Sequence, residues 1–172
     1  LIMSIVHMAR AHEESEAKSK RLCSVWEYKR NNSDRRKLTA MAPAWLRLSE
    51  DKTTFNPIPE VCEAVELIFR KKLDGKGTAR IESELIDDLD VWKPPQTTRN
   101  KGGGWRKSYI DKILRNRAVI GEFQPHKYVE GRRQPVGDPV PDYFPPIIDK
   151  DLFSQVQAQL DANRRQHCHA VG

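Results

Sequence analysis

The hydrophobic pattern of the first thirty residues predicts one long helix. No Pro or Gly interrupts them, and Ile2, Ile5 and Val6 recur at helical spacing before "RAHEESEAKSKR" becomes polar on every side. Leu22 and Val25 then restore an apolar stripe. Such a helix extends roughly 45 Å, more than the width of a small domain. Because its middle is polar, we expect a bridge, a dimer arm, or an element that lies along a charged partner.

The pattern weakens between residues 31 and 57, where no helical period persists and Pro43 interrupts the chain. We interpret this range as a basic linker with a short strand or turn near "AWLRL". A basic segment of this kind is typical of arms that follow a groove of DNA. A plain connector is the alternative interpretation.

A compact domain is predicted from residue 58 to residue 166. Pro59 suits the first position of a helix. The buried stripe of that helix is predicted to comprise Val61, Val65, Ile68, Phe69 and Leu73. Thr78 is placed to cap a second helix. The predicted inner face of the second helix comprises Ile81, Leu85 and Ile86.

A third helix is predicted after a glycine-rich insertion. Ser108 is placed as its cap, with Asp111 as the acidic partner of a capping box. Its predicted inner residues are Ile110, Ile113 and Leu114, and its predicted outer residues are Tyr109, Lys112 and Arg115. Trp105, just before the helix, is interpreted as a core residue rather than a platform for base stacking. Two helices, a connection and a helix with a basic outer face are typical of a helix-turn-helix, although this connection is longer than usual.

The remaining segments predict a hairpin and a closing helix. "VEGRRQPV" favours a β-hairpin that turns at Glu130 and Gly131, with basic residues near its tip. Asp149 is placed to cap a last helix. Its apolar stripe comprises Leu152, Phe153, Val156 and Leu160. The predicted fold is therefore mainly α with a small β-hairpin (α+β): a long N-terminal helix followed by a compact winged helix-turn-helix-like domain.

Charge is segregated along the chain, which carries a net charge of +6. Residues 18–37 hold eight basic residues against two acidic ones, and residues 99–117 hold seven against one. Residues 60–93, between them, hold six basic and nine acidic residues. Two basic blocks that flank an acidic region indicate a polyanion contacted at two places, with nucleic acid as the expected polyanion. Solvated basic faces are the alternative.

Composition argues against several other classes of protein. Cys23, Cys62 and Cys168 are scattered and never form a C-x-x-C pair, so neither a disulfide framework nor a zinc site is predicted. No apolar run approaches the roughly 18 residues of a membrane span. A cytoplasmic protein without membrane contact is expected. The first residue is Leu and the opening segment reads as the interior of a helix, so we expect a piece of a longer protein.

Several motifs together resemble the large serine recombinases of phages and mobile elements. They are "ARAHEESEAKSKRL", "PAWLRL", "VELIFRKKLDGKGTARIESELI", "GGGWRKSYIDKILRNRAVIGEFQPHK" and "GDPVPDYFPPIIDKDLF". The resemblance implies four parts: residues 1–30 as the long helix that continues from a catalytic domain, 31–57 as a linker, 58–166 as the recombinase domain that binds DNA, and 167–172 as a tail toward a zinc-ribbon domain.

The resemblance also implies a function for the parent protein. Such an enzyme cuts two DNA duplexes with a serine nucleophile and rejoins them, and it dimerises through the long helix and forms a tetramer in synapsis. The nucleophile would lie upstream, so this chain is expected to be inactive alone. No cofactor is expected here, because zinc belongs to the C-terminal domain of the parent.

Duplex DNA is the predicted partner. The candidate contacts are Arg106, Lys107, Ser108, Tyr109, Lys112, Arg115, Arg99, Lys101, Arg35, Arg36, Lys37, Lys18, Lys20, Arg21, Arg132 and Arg133. Two other functions stay open from the residues alone. One is a winged-helix transcriptional regulator that binds an operator as a dimer. The other is an interaction module whose basic surface is incidental.

Overall fold

The computed structural model describes residues 2–31, 37, 41–97, 101–129 and 131–169. Five helices lie within this part of the chain: α1 Ile2–Asn31, α2 Pro59–Leu73, α3 Thr78–Asp87, α4 Lys107–Leu114 and α5 Lys150–His169. Four short strands accompany them: β1 Leu46–Leu48, β2 Phe55–Pro57, β3 His126–Val129 and β4 Arg132–Pro135. The strands form two antiparallel pairs, β1 with β2 and β3 with β4. The predicted mainly-α fold with a small β component is confirmed.

α1 is the single uninterrupted helix that the sequence predicts. Its middle is exposed on all sides, and Lys18 forms the expected i,i+4 ion pair with Glu14, with 3.9 Å between Nζ and Oε2. Leu22 and Val25 are 61% and 49% exposed, so no described residue covers this apolar stripe. No helix in the described ranges is long and apolar enough to cross a membrane.

The core lies between α2, α3, α4 and α5, and the predicted stripes are largely correct. Leu73 is an exception at 41% exposed, and Lys72 is buried in its place. Lys72 continues the helical period of Val61, Val65 and Ile68, and its ammonium donates to the carbonyl of Lys76 at 3.3 Å. Ile86 is also an exception at 48% exposed, because it lies at the end of α3.

The predicted cap of α3 is displaced by one residue, whereas that of α5 is correct. Thr78 is the first residue of α3 rather than its cap, and Gly77 occupies the N-cap position. The cap of α5 is correct, because the Asp149 carboxylate accepts a hydrogen bond from the amide of Asp151 at 2.8 Å. α5 then places Phe153 against Phe69 of α2, with 6.1 Å between ring centroids, and thereby closes the core.

The β1–β2 hairpin contributes three core side chains. Trp45, Leu46 and Phe55 are each at most 5% exposed, and the Phe55 ring lies 5.0 Å from that of Phe144. The short strand predicted near "AWLRL" is therefore present as β1. Burial of apolar side chains begins ahead of residue 58, the predicted start of the compact domain.

β3 and β4 pair with Val129 opposite Arg132, and Gly131 lies between the strands as the sequence predicts; Glu130 lies outside the described residues. Its base is held where Phe123 and Val140 exchange two backbone hydrogen bonds of 2.9 and 2.8 Å. The Phe123 ring stacks on Tyr143 with 4.6 Å between centroids. The hairpin is thus joined to the core at its base, while β4 is exposed along its length.

Candidate nucleic-acid interface

α4 is strongly amphipathic and presents a basic end to solvent. Its inner residues Ile110, Ile113 and Leu114 are buried, as predicted. The predicted Ser108 cap is wrong, because α4 begins at Lys107 and Arg106 occupies the N-cap position in extended conformation. No side chain caps the helix, so its first amides point outward beside two cations. The helix dipole adds to that positive potential.

The N-terminal end of α4, called the α4 entrance below, consists of three exposed residues: Arg106, Lys107 and Ser108. The glycines before them make a tight turn, in which Gly103 and Gly104 have φ values of 66° and 69°. The Gly104 amide donates to the Pro94 carbonyl at 2.8 Å. Residues with side chains rarely adopt these φ values, so the glycines allow the chain to enter α4 directly from this turn.

The buried Trp105 holds the α4 entrance against the core. It is 3% exposed, and its Nε1 donates to the Trp92 carbonyl at 3.0 Å. The Trp92 ring meets it edge-on with 5.8 Å between centroids, and the Tyr109 ring stacks on its other side at 5.8 Å. The prediction that Trp105 is a core residue is confirmed. Arg106 follows this fixed residue directly, so the backbone of the basic entrance is held in place.

Tyr109 differs from its predicted outward position. It packs on Trp105, and desolvation by burial raises the pKa of its phenol. Tyr109 precedes the buried Ile113 by one helical turn, so it borders the buried face of α4 and can reach Trp105. The sequence did not predict Trp92 as part of this site. The segment around it, "DVWKPP", has neither a helical nor a strand period, so nothing indicates which way the Trp92 side chain points.

The far side of α4 supplies Lys112 and Arg115, both exposed as predicted. The Gln157 amide of α5 donates to the Leu114 carbonyl at 2.6 Å and fixes the C-terminal end of the helix. Arg117 belongs to the same basic block, but its Nε lies 2.5 Å from Glu122 Oε2. The hydrogen bond from Arg117 lowers the pKa of the Glu122 carboxyl, so this arginine is engaged within the protein.

The hairpin residues Arg132 and Arg133 are both exposed, but they lie on opposite faces of the ribbon. Arg133 pairs across the ribbon with Tyr128, and Arg132 pairs with Val129. Directly opposed residues share a face, and successive residues alternate. Arg133 therefore shares a face with the exposed Tyr128, whereas Arg132 shares one with the half-buried Val129.

Lys37 is turned into the protein. Its ammonium donates to the Tyr143 carbonyl at 2.9 Å and lies 4.6 Å from the centre of the Tyr143 ring. The sequence predicts that Lys37 contacts DNA, but in the structure its ammonium is bound within the protein. A cation above an aromatic ring is stabilised where it is partly desolvated, which explains the inward orientation.

The other predicted contacts lie apart from α4 in the sequence. Lys18, Lys20 and Arg21 are exposed on α1, and Lys101 is exposed in the glycine turn. Helical geometry of 100° per residue places Lys20 about 160° around α1 from Lys18 and about 100° from Arg21. Arg35, Arg36 and Arg99 lie outside the described residues. Within the described ranges, no cluster of His, Cys, Asp or Glu could hold a metal ion.

Comparison with known proteins assigns the chain to a family. The model of the family described as Recombinase matches residues 59–163, from the first residue of α2 into α5. The chain is 33% identical over 159 residues to the uncharacterized protein YbcK of Escherichia coli (strain K12). That alignment covers 91% of this chain and 30% of YbcK, so the chain spans less than a third of this relative. No solved structure matches the chain. Because the family model covers more than half of the sequence, the chain belongs to the Recombinase family.

Proposed function

We propose that this chain is the DNA-binding portion of a site-specific recombinase of the serine integrase type. In this proposal it recognises duplex DNA at an attachment site and positions a separate catalytic domain for strand exchange. The observation that carries the proposal is the α4 entrance, where Arg106, Lys107 and Ser108 are exposed on a backbone held by the buried Trp105. Membership of the Recombinase family supports it over a transcriptional regulator.

The α4 entrance is suited to the major groove of duplex DNA. A helix fits that groove with its N-terminal residues at the base edges, as in helix-turn-helix proteins. Arg106 supplies a guanidinium that can bind guanine in bidentate fashion, and the uncapped amides of α4 can bind a phosphate. Lys112 and Arg115, one to two turns further along, would contact phosphates on either side.

Two other elements would extend the interface along the duplex. The hairpin would act as a wing in which Arg133 and Tyr128 face the DNA together, because they share the fully exposed side of the ribbon. α1 would contribute phosphate contacts from Lys18 and Arg21. Contacts of this kind position a protein without reading sequence, so most of the affinity from α1 should depend on salt.

The chemistry of recombination would belong to the parent protein. The cleaving serine is expected in a catalytic domain joined to α1, and this chain would contribute recognition and positioning only. It needs no cofactor for that role. Self-association of the parent through α1 is part of the same proposal.

A pair of double variants tests the proposal. Replacing Arg106 and Lys107 with Ala should weaken binding to duplex DNA that carries the attachment site by about tenfold or more, because a specific base contact contributes about 1–3 kcal/mol. The dependence of affinity on salt should also become shallower. The matched control replaces Lys150 and Arg164 of α5 with Ala. Both side chains are exposed, and this double replacement removes the same amount of positive charge. Binding is measured by fluorescence anisotropy across a salt series.

The two variants separate a specific interface from general positive charge. Neither should change the melting temperature, since all four side chains are exposed. Equal loss of affinity in both variants would show that net charge, rather than the α4 entrance, determines binding. Preference for the attachment site over scrambled duplex by about 4 kcal/mol is expected for a specific reader.

A further inference from the structure

A groove of about 390 Å³ runs along the side of α2 that faces away from the core. α2 forms one wall, and the segment that follows α3 forms the other. Leu67 of α2 and Val91 and Trp92 of the opposite wall are only partly buried, although all three side chains are large and apolar or aromatic. The groove therefore has an apolar floor that is accessible from solvent.

Both walls of the groove carry unpaired carboxylates. Glu60 and Glu63 lie one helical turn apart on α2, and Asp90 lies on the opposite wall. All three are exposed, and none forms an ion pair with another residue that the structure describes. The guanidinium of Arg70, which also lines the groove, is already paired with Glu66 at 2.6 Å. The groove is therefore locally acidic in a chain with a net charge of +6.

Hydrogen bonds to the rest of the fold hold the second wall in place. The Lys93 ammonium donates to the Ile86 carbonyl at 2.8 Å and so ties the two ends of this wall together. The Trp92 carbonyl accepts the hydrogen bond from Trp105 Nε1 at 3.0 Å. Because both walls are already formed, an occupant would bind without first ordering the groove.

The chemistry of the groove selects its occupant. The phosphates of DNA would be repelled by the carboxylates, and a small cation would leave the apolar floor uncovered. An apolar stripe with cations on both flanks meets both requirements, and this is the pattern of a basic amphipathic helix. α1 of a second copy is not available for this contact, because the proposed function places its Lys18 and Arg21 on DNA.

We propose that the groove docks a basic amphipathic helix of a separate protein. The apolar stripe of that helix would cover Leu67, Val91 and Trp92. Its cations would approach Glu63 on one wall and Asp90 on the other. The choice of a separate protein rests on the proposed function, whereas the character of the groove does not. The groove is distinct from the α4 entrance, so the partner can bind while the chain contacts DNA.

A synthetic peptide tests the groove without DNA. The probe is a labelled helical peptide of about 14 residues, or four turns, with Leu along one face and Lys on both flanks. We expect it to bind the full chain with a dissociation constant in about the micromolar range, measured by fluorescence anisotropy. Two matched peptides, one with Glu in place of Lys and one with Ser in place of Leu, should each bind at least about tenfold more weakly.

Variants of the chain locate the binding site. Glu63→Lys should weaken binding of the probe by about tenfold or more, because it places like charges together. Asp161→Lys makes a similar change at an exposed position of α5 and should leave binding unchanged. Asp90→Lys provides a second groove variant should Glu63→Lys lower the melting temperature. Tryptophan emission should change when the probe binds, and Trp92→Phe should remove that change while keeping the backbone carbonyl that binds Trp105.

Three outcomes would overturn the proposal. The first is absence of binding at about 100 μM of the chain, far above a micromolar dissociation constant. The second is equal binding of the Ser-containing peptide, which would assign the groove to small cations. The third is self-association of the wild-type chain that Glu63→Lys abolishes in analytical ultracentrifugation, which would assign the groove to a second copy. None of these measurements includes DNA, so they are separate from the test of the proposed function.

Discussion

Gly121 shows how one residue joins two segments of the core. Its φ is 92°, and its carbonyl accepts a hydrogen bond from the Phe144 amide at 3.0 Å. A Cβ added at this position would lie 2.9 Å from the Phe144 carbonyl oxygen, which belongs to the backbone and cannot move aside cheaply. Gly121 therefore combines a left-handed conformation with a close approach of two chain segments.

Gly121→Ala should accordingly destabilise the protein more than a glycine replacement that introduces strain alone. Gly75 is the matched control, because its φ is 83° and nothing lies within 4 Å of an added Cβ. We expect Gly75→Ala to cost about 1–2 kcal/mol of unfolding free energy from backbone strain. Gly121→Ala should cost about 3 kcal/mol or more, since steric overlap adds to the strain. Urea denaturation measures both, and equal losses would mean that the backbone near Phe144 yields easily.

The burial of single side chains could be predicted where a helical period fixes the direction in which they point. Ile110, Ile113 and Leu114 are buried because the α4 pattern leaves one inner face. Lys37 and Trp92 were not predictable, because their positions depend on tertiary partners: Tyr143 for the first and Trp105 for the second. Contacts between residues far apart in the chain leave no signal in local spacing.

The contact between α2 and α3 depends on Glu84. Its carboxylate accepts hydrogen bonds from Lys71 at 2.5 Å and Lys76 at 2.7 Å, and it pairs with Arg80 at 3.2 Å. The bonds from Lys71 and Lys76 lower the pKa of Glu84 from 4.5 to about 2. Because the folded pKa is depressed, the stabilisation is fully present above pH 4.5 and is lost as the pH falls toward 2.

Glu84→Gln should therefore lower the melting temperature at neutral pH and make less difference in acid. The gap between wild type and variant should close between about pH 5 and pH 2, and salt should narrow it at neutral pH because the pairs are partly exposed. Glu82→Gln is the control, since Glu82 makes no ion pair among the residues that the structure describes. Thermal unfolding followed by circular dichroism across this pH range measures the gap. A gap that stays constant with pH would show that Glu84 acts through packing.

Elements were predicted more accurately than their ends. α1, α2 and the β3–β4 hairpin have the expected extents, because long periods and a Glu-Gly turn are strong local signals. The start of α3 was displaced by one residue and that of α4 by two, since Thr78 and Ser108 have good capping side chains that the chain does not use as caps. Just before α4, Trp105 is held by Trp92 from an earlier segment of the chain, and that contact is tertiary.

At the scale of the whole molecule, the core and the long helix have separate roles. The described core residues begin at Trp45 and end at Val156, and none of them lies in α1. The β1–β2 hairpin, by contrast, buries Trp45, Leu46 and Phe55 completely or nearly so. The linker predicted for residues 31–57 thus includes a segment that the core requires, and composition alone could not reveal it because the hairpin is short.

Two truncated chains would separate these roles. A chain of residues 37–172 should melt cooperatively near the temperature of the full chain, because it keeps every described core residue and the Lys37 contact with Tyr143. A chain of residues 58–172 should be largely unfolded. It loses two buried aromatic residues that each contribute about 3–5 kcal/mol, against a total stability of about 5–15 kcal/mol for a typical domain. Circular dichroism and amide hydrogen exchange would measure both, and cooperative melting of the shorter chain at the same temperature would place the hairpin outside the folding unit.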